Sequence, residues 1–252
     1  MDPHLIVYFG DSSLAGAAGY LAGLMTLWGM PFDYLPSDRS TSLRVVEPRR
    51  KLFILSDYPS KMISSALQQT LVDQVHRGAG LLMIGGWESF CGQGGDWAGT
   101  PVGAALPVQI DNHDDRINCD QPALILKKTD HPTAGALPWQ TRPPTVGGFN
   151  RIAPKEGATV VLEAQRFAAS VAGVGRFDFR PTSSHPLLIV GQHGTGRTAA
   201  LATDLAPHWV GGLVDWGDGR VTATAEGSWS IEVGDLYAAF VRNLLTWTGQ
   251  LK

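Results

Sequence analysis

Apolar residues in the first third of the chain fall alternately into short unbroken runs and helically spaced stripes. Residues 5–9 are all apolar, the pattern of a strand buried on both faces. Gly10, Asp11, Ser12 and Ser13 follow, and the three polar residues suit the N-cap of a helix. Residues 12–32 then carry no charge. A stretch of that length raises the question of a membrane span, with Ala15, Gly19 and Gly23 as a small-residue packing face. The strand just before it and the lack of Lys or Arg before Arg39 favour a helix lying close on a sheet instead.

A second strand is expected at residues 32–35, ended by Pro36, and a third at 52–55. Over residues 60–77 the positions Met62, Ile63, Ala66, Leu67, Leu71 and Val75 recur at helical spacing, and Gly78 stops that helix. Residues 80–84 read as a fourth strand opening into a glycine-rich loop, 85–99. Strands alternating with helices predict a doubly wound, mostly parallel sheet, in which ligands bind beyond the carboxyl ends of the strands. That rule selects Gly10-Asp11, Ser56-Asp57-Tyr58 and residues 85–97.

The second half reads differently. Residues 158–162, 186–190 and 198–203 look like strands with no long helices between them, adding strands and hairpins to the sheet. Pro143-Pro144, Gly147-Gly148 and residues 173–175 are turn material. Residues 233–247 carry Leu236, Phe240, Val241, Leu244, Leu245 and Trp247 near one stripe, which predicts a closing helix. No repeat or linker interrupts the chain, so residues 1–252 are expected to form one α/β domain.

Composition narrows the function. With 44% hydrophobic and 17% charged residues the chain is not disordered. A net charge of −3 provides no basic field for a polyphosphate backbone, so nucleic acid is not an expected partner. Cys91 and Cys119 are too few for a disulfide framework and read as thiols in a reducing compartment. The opening Met1-Asp2-Pro3-His4 lacks the basic start of a signal peptide. A soluble cytoplasmic protein with no membrane partner is the expectation.

Several segments could carry chemistry. Residues 191–198 have the spacing of a P-loop with Arg197 in the lysine position, but Gly194-Thr195-Gly196 between two apolar runs favours a hairpin turn. Residues 111–115 gather Asp and His without calcium-loop spacing and read as a solvated turn. His131, before Pro132, reads as a turn residue whose ring caps local backbone. The richest stretch is 85–97, where Gly85, Gly86, Trp87, Glu88, Ser89 and Cys91 follow the fourth strand. Glycines there admit close backbone approach and offer N–H groups to an oxyanion. Asp204 and His208 follow another strand, and the carboxylate could orient the imidazole as a general base.

Residues 80–90, Gly99-Thr100-Pro101, Leu106-Pro107-Val108, Gly194 to Arg197, residues 203–209 and residues 240–245, in that order, resemble the putative glutamine amidotransferase-like family. That family lies in the class I glutamine amidotransferase-like superfamily, and the resemblance implies a flavodoxin-like sheet. It also implies a Cys nucleophile on a sharp strand-to-helix turn and a late His beside a Glu. Here the turn holds Gly85-Gly86-Trp87, and Trp209 follows His208 where an acidic orienter would be expected. Glutamine hydrolysis needs an activated thiolate and an oxyanion hole.

Three readings follow. The first is a non-amidotransferase member keeping the crevice for a small-molecule ligand or a structural role, walled by Asp11, Asp57, Tyr58, Gly85, Gly86, Trp87, Glu88, Ser89 and His208. The second is a hydrolase with Cys91 as nucleophile, His208 as base and Asp204 or Glu88 as orienter. The third is an interaction module, since eight Trp residues could include exposed anchors for a partner or a homo-oligomer. No metal or cofactor is expected.

Overall fold

The computed structural model describes residues 5–46 and 49–251. Strand β1 (Ile6–Gly10) is buried throughout, as its unbroken apolar run requires. Helix α1 (Ala18–Leu27) returns the chain to β2 (Phe32–Pro36), which is half-buried because it is the sheet's edge. A short α2 (Leu43–Val46) precedes β3 (Leu52–Ser56). Helix α3 (Ser65–His76) leads into β4 (Gly80–Ile84), buried like β3. Beyond the glycine-rich loop come α4 (Pro101–Ala105), the two-residue β5 (Val108–Gln109), β6 (Arg116–Lys127), β7 (Thr145–Asn150) and β8 (Ala153–Pro154). Two long strands, β9 (Thr159–Gly173) and β10 (Arg176–His193), lead to β11 (Gly196–Leu201). The chain closes with α5 (Pro207–Val210), β12 (Arg220–Ala223), β13 (Ile231–Gly234) and α6 (Asp235–Gly249).

The result is a mixed α/β fold around one nine-stranded sheet, ordered β2-β1-β3-β4-β11-β10-β9-β6-β7. The run from β2 to β11 is parallel, and every pairing from β11 to β7 is antiparallel. The first-half strands β1 to β4 thus form the parallel run, closed by β11, and the strands that the later chain adds beyond it are antiparallel, so parallel and antiparallel pairings in this sheet are equal in number. Both halves of the chain meet where β11 inserts beside β4. Helix α6 packs on β3, β4 and β11 so closely that a Cβ on Gly80 would lie 2.2 Å from the Thr248 carbonyl oxygen.

Local chemistry moves several expected boundaries. Helix α1 starts at Ala18 without a side-chain cap, because the Ser13 hydroxyl is spent accepting the Ala15 N–H in a turn before it. The helix expected from residue 60 begins at Ser65. Ser60–Met62 forms a separate 3₁₀ turn, and Ser64 caps α3 by accepting the Leu67 N–H. Gly147 and Gly148 lie inside β7 rather than in a turn, since a side chain on Gly148 would meet the Trp209 indole at 2.6 Å. The 191–198 segment is a hairpin between β10 and β11. The strand after Gly196 leaves no helix N-terminus to hold a phosphate.

The uncharged stretch after Asp11 yields only a ten-residue helix lying on the β12–β13 hairpin. A Cβ on Gly23 would be 3.3 Å from Ile231 Cγ1. Among the described residues, no helix is long and apolar enough to cross a membrane.

Candidate functional site

The carboxyl ends of β1, β3, β4 and β11 bring Asp11, Asp57, the Gly85–Glu88 turn and Asp204 to one end of the parallel strands. Asp11 and Asp57 each feel the charge of Asp204 and of Glu88, and Asp57 feels Asp11. This is an acidic cluster with one imidazole, His208, electrostatically coupled to three of its members. Burial is the first cause of the shift at both Asp11 and Asp57, with Asp204 next. Asp11 is pushed up to about 6 and Asp57 to about 8. At neutral pH Asp57 is therefore largely a proton-bearing acid.

Asp57 is held in a left-handed conformation, φ 49°, which Asp tolerates better than most residues. Its N–H donates to Ser89 Oγ at 3.0 Å, and its Oδ1 accepts the Glu88 N–H at 2.8 Å. The β3 end is thereby latched onto the loop that follows β4. Phe90 and Asp96 in that loop also have positive φ, so three of the four such non-glycine residues described cluster here.

Asp204 is buried and anchors its own turn by accepting the Ala206 N–H on Oδ1. Its Oδ2 lies 3.0 Å from His208 Nδ1. With Nδ1 engaged by Asp204, Nε2 is left as the open ring nitrogen. The hydrogen bond to Asp204 is the first cause raising the His208 pKa, and burial pulls the other way. The imidazole is 64% exposed, so Nε2 is accessible to a ligand. These groups can exchange protons and accept hydrogen bonds from a donor-rich molecule.

The seat just beyond β4 is tightly filled. A Cβ on Gly85 would lie 2.2 Å from the Ala202 carbonyl oxygen, and one on Gly86 2.1 Å from Asp57 Oδ1. Trp87, next in line, is exposed, with the Arg116 guanidinium 4.6 Å above its ring. Ser89 is buried beneath Asp57. Tyr58 is fully buried, its hydroxyl 2.7 Å from the Arg39 carbonyl oxygen and its ring on Phe9, so it braces the β3 end without facing ligand.

Cys91 is buried, and its thiol pKa is raised first by desolvation and then by Asp115, Asp96, Asp114 and Asp111. The Cys91 and Gly92 N–H groups both donate to Asp115 at 3.0 Å. The charges acting on this thiol are thus all acidic, whereas those acting on His208 come from Asp204, Asp11 and Asp57.

Two residues hold the loop: Asn150, which the sequence did not single out, and Asp115, which it placed in a solvated turn. Asn150, at the end of β7, accepts the Gly86 N–H at 2.9 Å and donates to the Gly86 carbonyl and, at 2.7 Å, to Asp115. Asp115 is instead buried because it must pair with these donors, while Asp111, Asn112, His113 and Asp114 are exposed. His131 does cap local backbone, its Nδ1 accepting the Thr133 N–H. Among the described residues no group of three or more His, Cys, Asp or Glu is arranged to hold a metal ion. A cavity of about 530 Å³ lined by His131, Lys155, His193 and Trp247 shares no lining residue with the cluster, whereas another of about 620 Å³, lined by Leu14, Met30, Phe32 and Tyr34, adjoins it, since the Tyr34 hydroxyl donates to the Asp11 carbonyl oxygen.

Comparison with known proteins fits this architecture. No curated protein matches the sequence. Two cytoplasmic proteins of Salmonella typhimurium have similar structures, at TM-scores of 0.69 and 0.70 and 21% and 22% identity. Each comparison covers 96% of this chain and 98% of the other. A ThuA-like protein from Bacteroides uniformis is more distant, at TM-score 0.54 and 13% identity over 98% of this chain and 91% of that one. At these identities the likeness is one of fold. The family model described as putative glutamine amidotransferase matches residues 53–222, more than half of the sequence. The chain belongs to that putative glutamine amidotransferase family.

Proposed function

We propose that this protein is a non-amidotransferase member of its family and uses the acidic cluster to bind a small, donor-rich molecule such as a polyol or an amine. The parallel strand order β2-β1-β3-β4-β11, equivalent to 2-1-3-4-5, supports a flavodoxin-like, doubly wound ancestry with the site at its usual end. We read the chain as one domain and, from the description of the Salmonella neighbours, as cytoplasmic. The observation that carries the proposal is the closed seat beyond β4. A Cβ on Gly86 would lie 2.1 Å from Asp57 Oδ1, and residues 85–89 of that turn include no Cys, which supports a reading without the superfamily nucleophile.

The ligand class follows from the donor–acceptor balance. Asp11, Glu88 and Asp204 offer acceptors, Asp57 and His208 can hold or release a proton, and Trp87 adds an exposed ring at the rim. A thermal-shift screen of neutral sugars, polyols, amines and sugar acids tests this. Polyols or amines are expected to raise the midpoint by mass action, sugar acids are not, and Asp57→Asn abolishes the shift. Sustained release of glutamate from glutamine by the pure protein would overturn the proposal.

The rival hydrolase mechanism makes Cys91 the nucleophile, and a thiolate there is disfavoured by burial and by the acids around it. Iodoacetamide is accordingly expected to label Cys91 no faster than Cys119. Selective rapid labelling of Cys91 would favour that mechanism.

A further inference from the structure

Strands β9 and β10 run on past the sheet as a two-stranded arm. Near its base, Val161, Leu162 and Ala164 on one strand and Leu187 to Val190 on the other are buried in the core. The Gln165 side-chain amide closes that base by donating to the Ser183 carbonyl oxygen at 3.0 Å. Beyond it the arm is largely exposed as far as the turn at Val174 and Gly175.

Strand register sorts the arm into two unlike faces. Phe167 opposes Pro181, Ala169 opposes Phe179 and Val171 opposes Phe177. Directly opposed residues share a face and successive residues alternate, so these six lie together. The Phe167 and Phe179 rings meet edge-to-face at 5.5 Å, as diagonal neighbours on one face do. Ala168 opposite Arg180, and Ser170 opposite Asp178, form the other face. One side is therefore wholly apolar and the charges lie on the other, the alternation of a strand pair whose apolar side is covered. Among the described residues nothing covers it: Phe177 is 58%, Phe179 65% and Val171 75% exposed.

We infer that this face is the contact between two copies of this chain, stacked arm on arm about a two-fold axis. The face is apolar and uncharged, so its own image meets it without charge repulsion, and it offers a charged or polar partner no group to read. Stacked sheets sit about 10 Å apart, which lets Phe177 and Phe179 of one copy interdigitate with those of the other. Covering the exposed parts of Val171, Val174, Phe177 and Phe179 removes on the order of 500 Å² per copy, against roughly 800 Å² in a standard interface. The arms thus supply the larger share of a standard interface. An isolated hairpin is marginal in water, so pairing also explains how so long an arm holds its form.

Analytical ultracentrifugation of the full chain over a concentration series tests the assignment. A dimer is expected at about 100 μM and below. The double change Phe177→Ser with Phe179→Ser is expected to weaken association by at least about 100-fold, while Asp178→Ser with Arg180→Ser on the opposite face leaves it intact. Hydrogen exchange on the unaltered protein is an independent readout, with amides in 166–181 gaining protection as concentration rises. A monomer at about 100 μM would overturn the inference, as would a dimer that survives the double Phe change or an arm that binds neutral lipid vesicles while the chain stays monomeric.

Discussion

At Gly86 any side chain has to share space with the Asp57 carboxylate, and at Gly85 with a backbone carbonyl that cannot retreat. Overpacking of this kind costs about 1–3 kcal/mol, so Gly86→Ala is expected to lower the unfolding midpoint clearly. Gly147→Ala is the matched control, since its Cβ would find nothing nearer than 3.5 Å and the change should be close to neutral. Equal effects in thermal melts would mean that Asp57 moves aside easily and that the seat is not closed. Asn150 makes a second residue-scale case. It is fully buried, satisfies both the N–H and the carbonyl of Gly86, and donates to the buried Asp115. Asn150→Ala strands those partners and is expected to cost about 2–4 kcal/mol in urea unfolding, because one of them is a carboxylate. Asp11, Asp57, Asp204 and His208 were legible in the sequence because each follows an apolar run that had to be a strand. Asn150 and Asp115 were not. They reach the loop from 64 and 24 residues away, and neither carries a local signal.

Elements were legible where one physical demand dominated. The strands β1, β3 and β4 needed only an apolar run between polar breaks, and α6 only its stripe. Gly147-Gly148 misled because glycine marks turns locally, whereas here it makes room for the Trp209 ring against β7. The adjacency of β11 and β4 was also hidden, since pairing of strands more than a hundred residues apart leaves no mark on either segment. The same logic gives α1 a testable property. Its Gly23 lies against Ile231 and Ala223 of the β12–β13 hairpin, so Gly23→Leu is expected to lift the helix and cost about 1–3 kcal/mol by thermal melting. The arm behaves in the opposite way. Replacing residues 168–180 with an Asn-Gly turn joins Phe167 to Pro181 across the tight hairpin geometry and leaves the buried base untouched. In dilute solution the midpoint should stay within a few degrees of the parent, because little core is removed. A collapse of the fold would show that the arm is an internal strut.

For the whole molecule, the concentration of carboxyl groups at one end of the sheet makes stability depend on pH in a predictable direction. Asp57 has a folded pKa of about 8 against an unfolded value of 3.8, so the folded state holds its proton over that window. The stability this contributes is complete below pH 4 and is lost as pH rises through about 8. Asp11, raised to about 6, acts in the same direction but is spent by neutral pH. His131, His185 and His193 oppose both: burial lowers their pKa values, so they weaken the fold as pH falls below 6.5. The clearest window is therefore pH 7 to 8.5, where those imidazoles are mostly neutral in both states and Asp57 and His208 remain to titrate. Stability is expected to fall by about 1 kcal/mol between pH 7 and 8, since one proton held only in the folded state gives 1.36 kcal/mol per pH unit. Asp57→Asn keeps an acceptor for the Glu88 N–H and removes the Asp57 titration, so its urea curves at pH 7, 7.5, 8 and 8.5 should separate clearly less than those of the parent, with His208 left to titrate. If variant and parent lose stability in parallel, the proton is held elsewhere, and Asp57 cannot be the neutral acid on which the ligand-binding proposal relies.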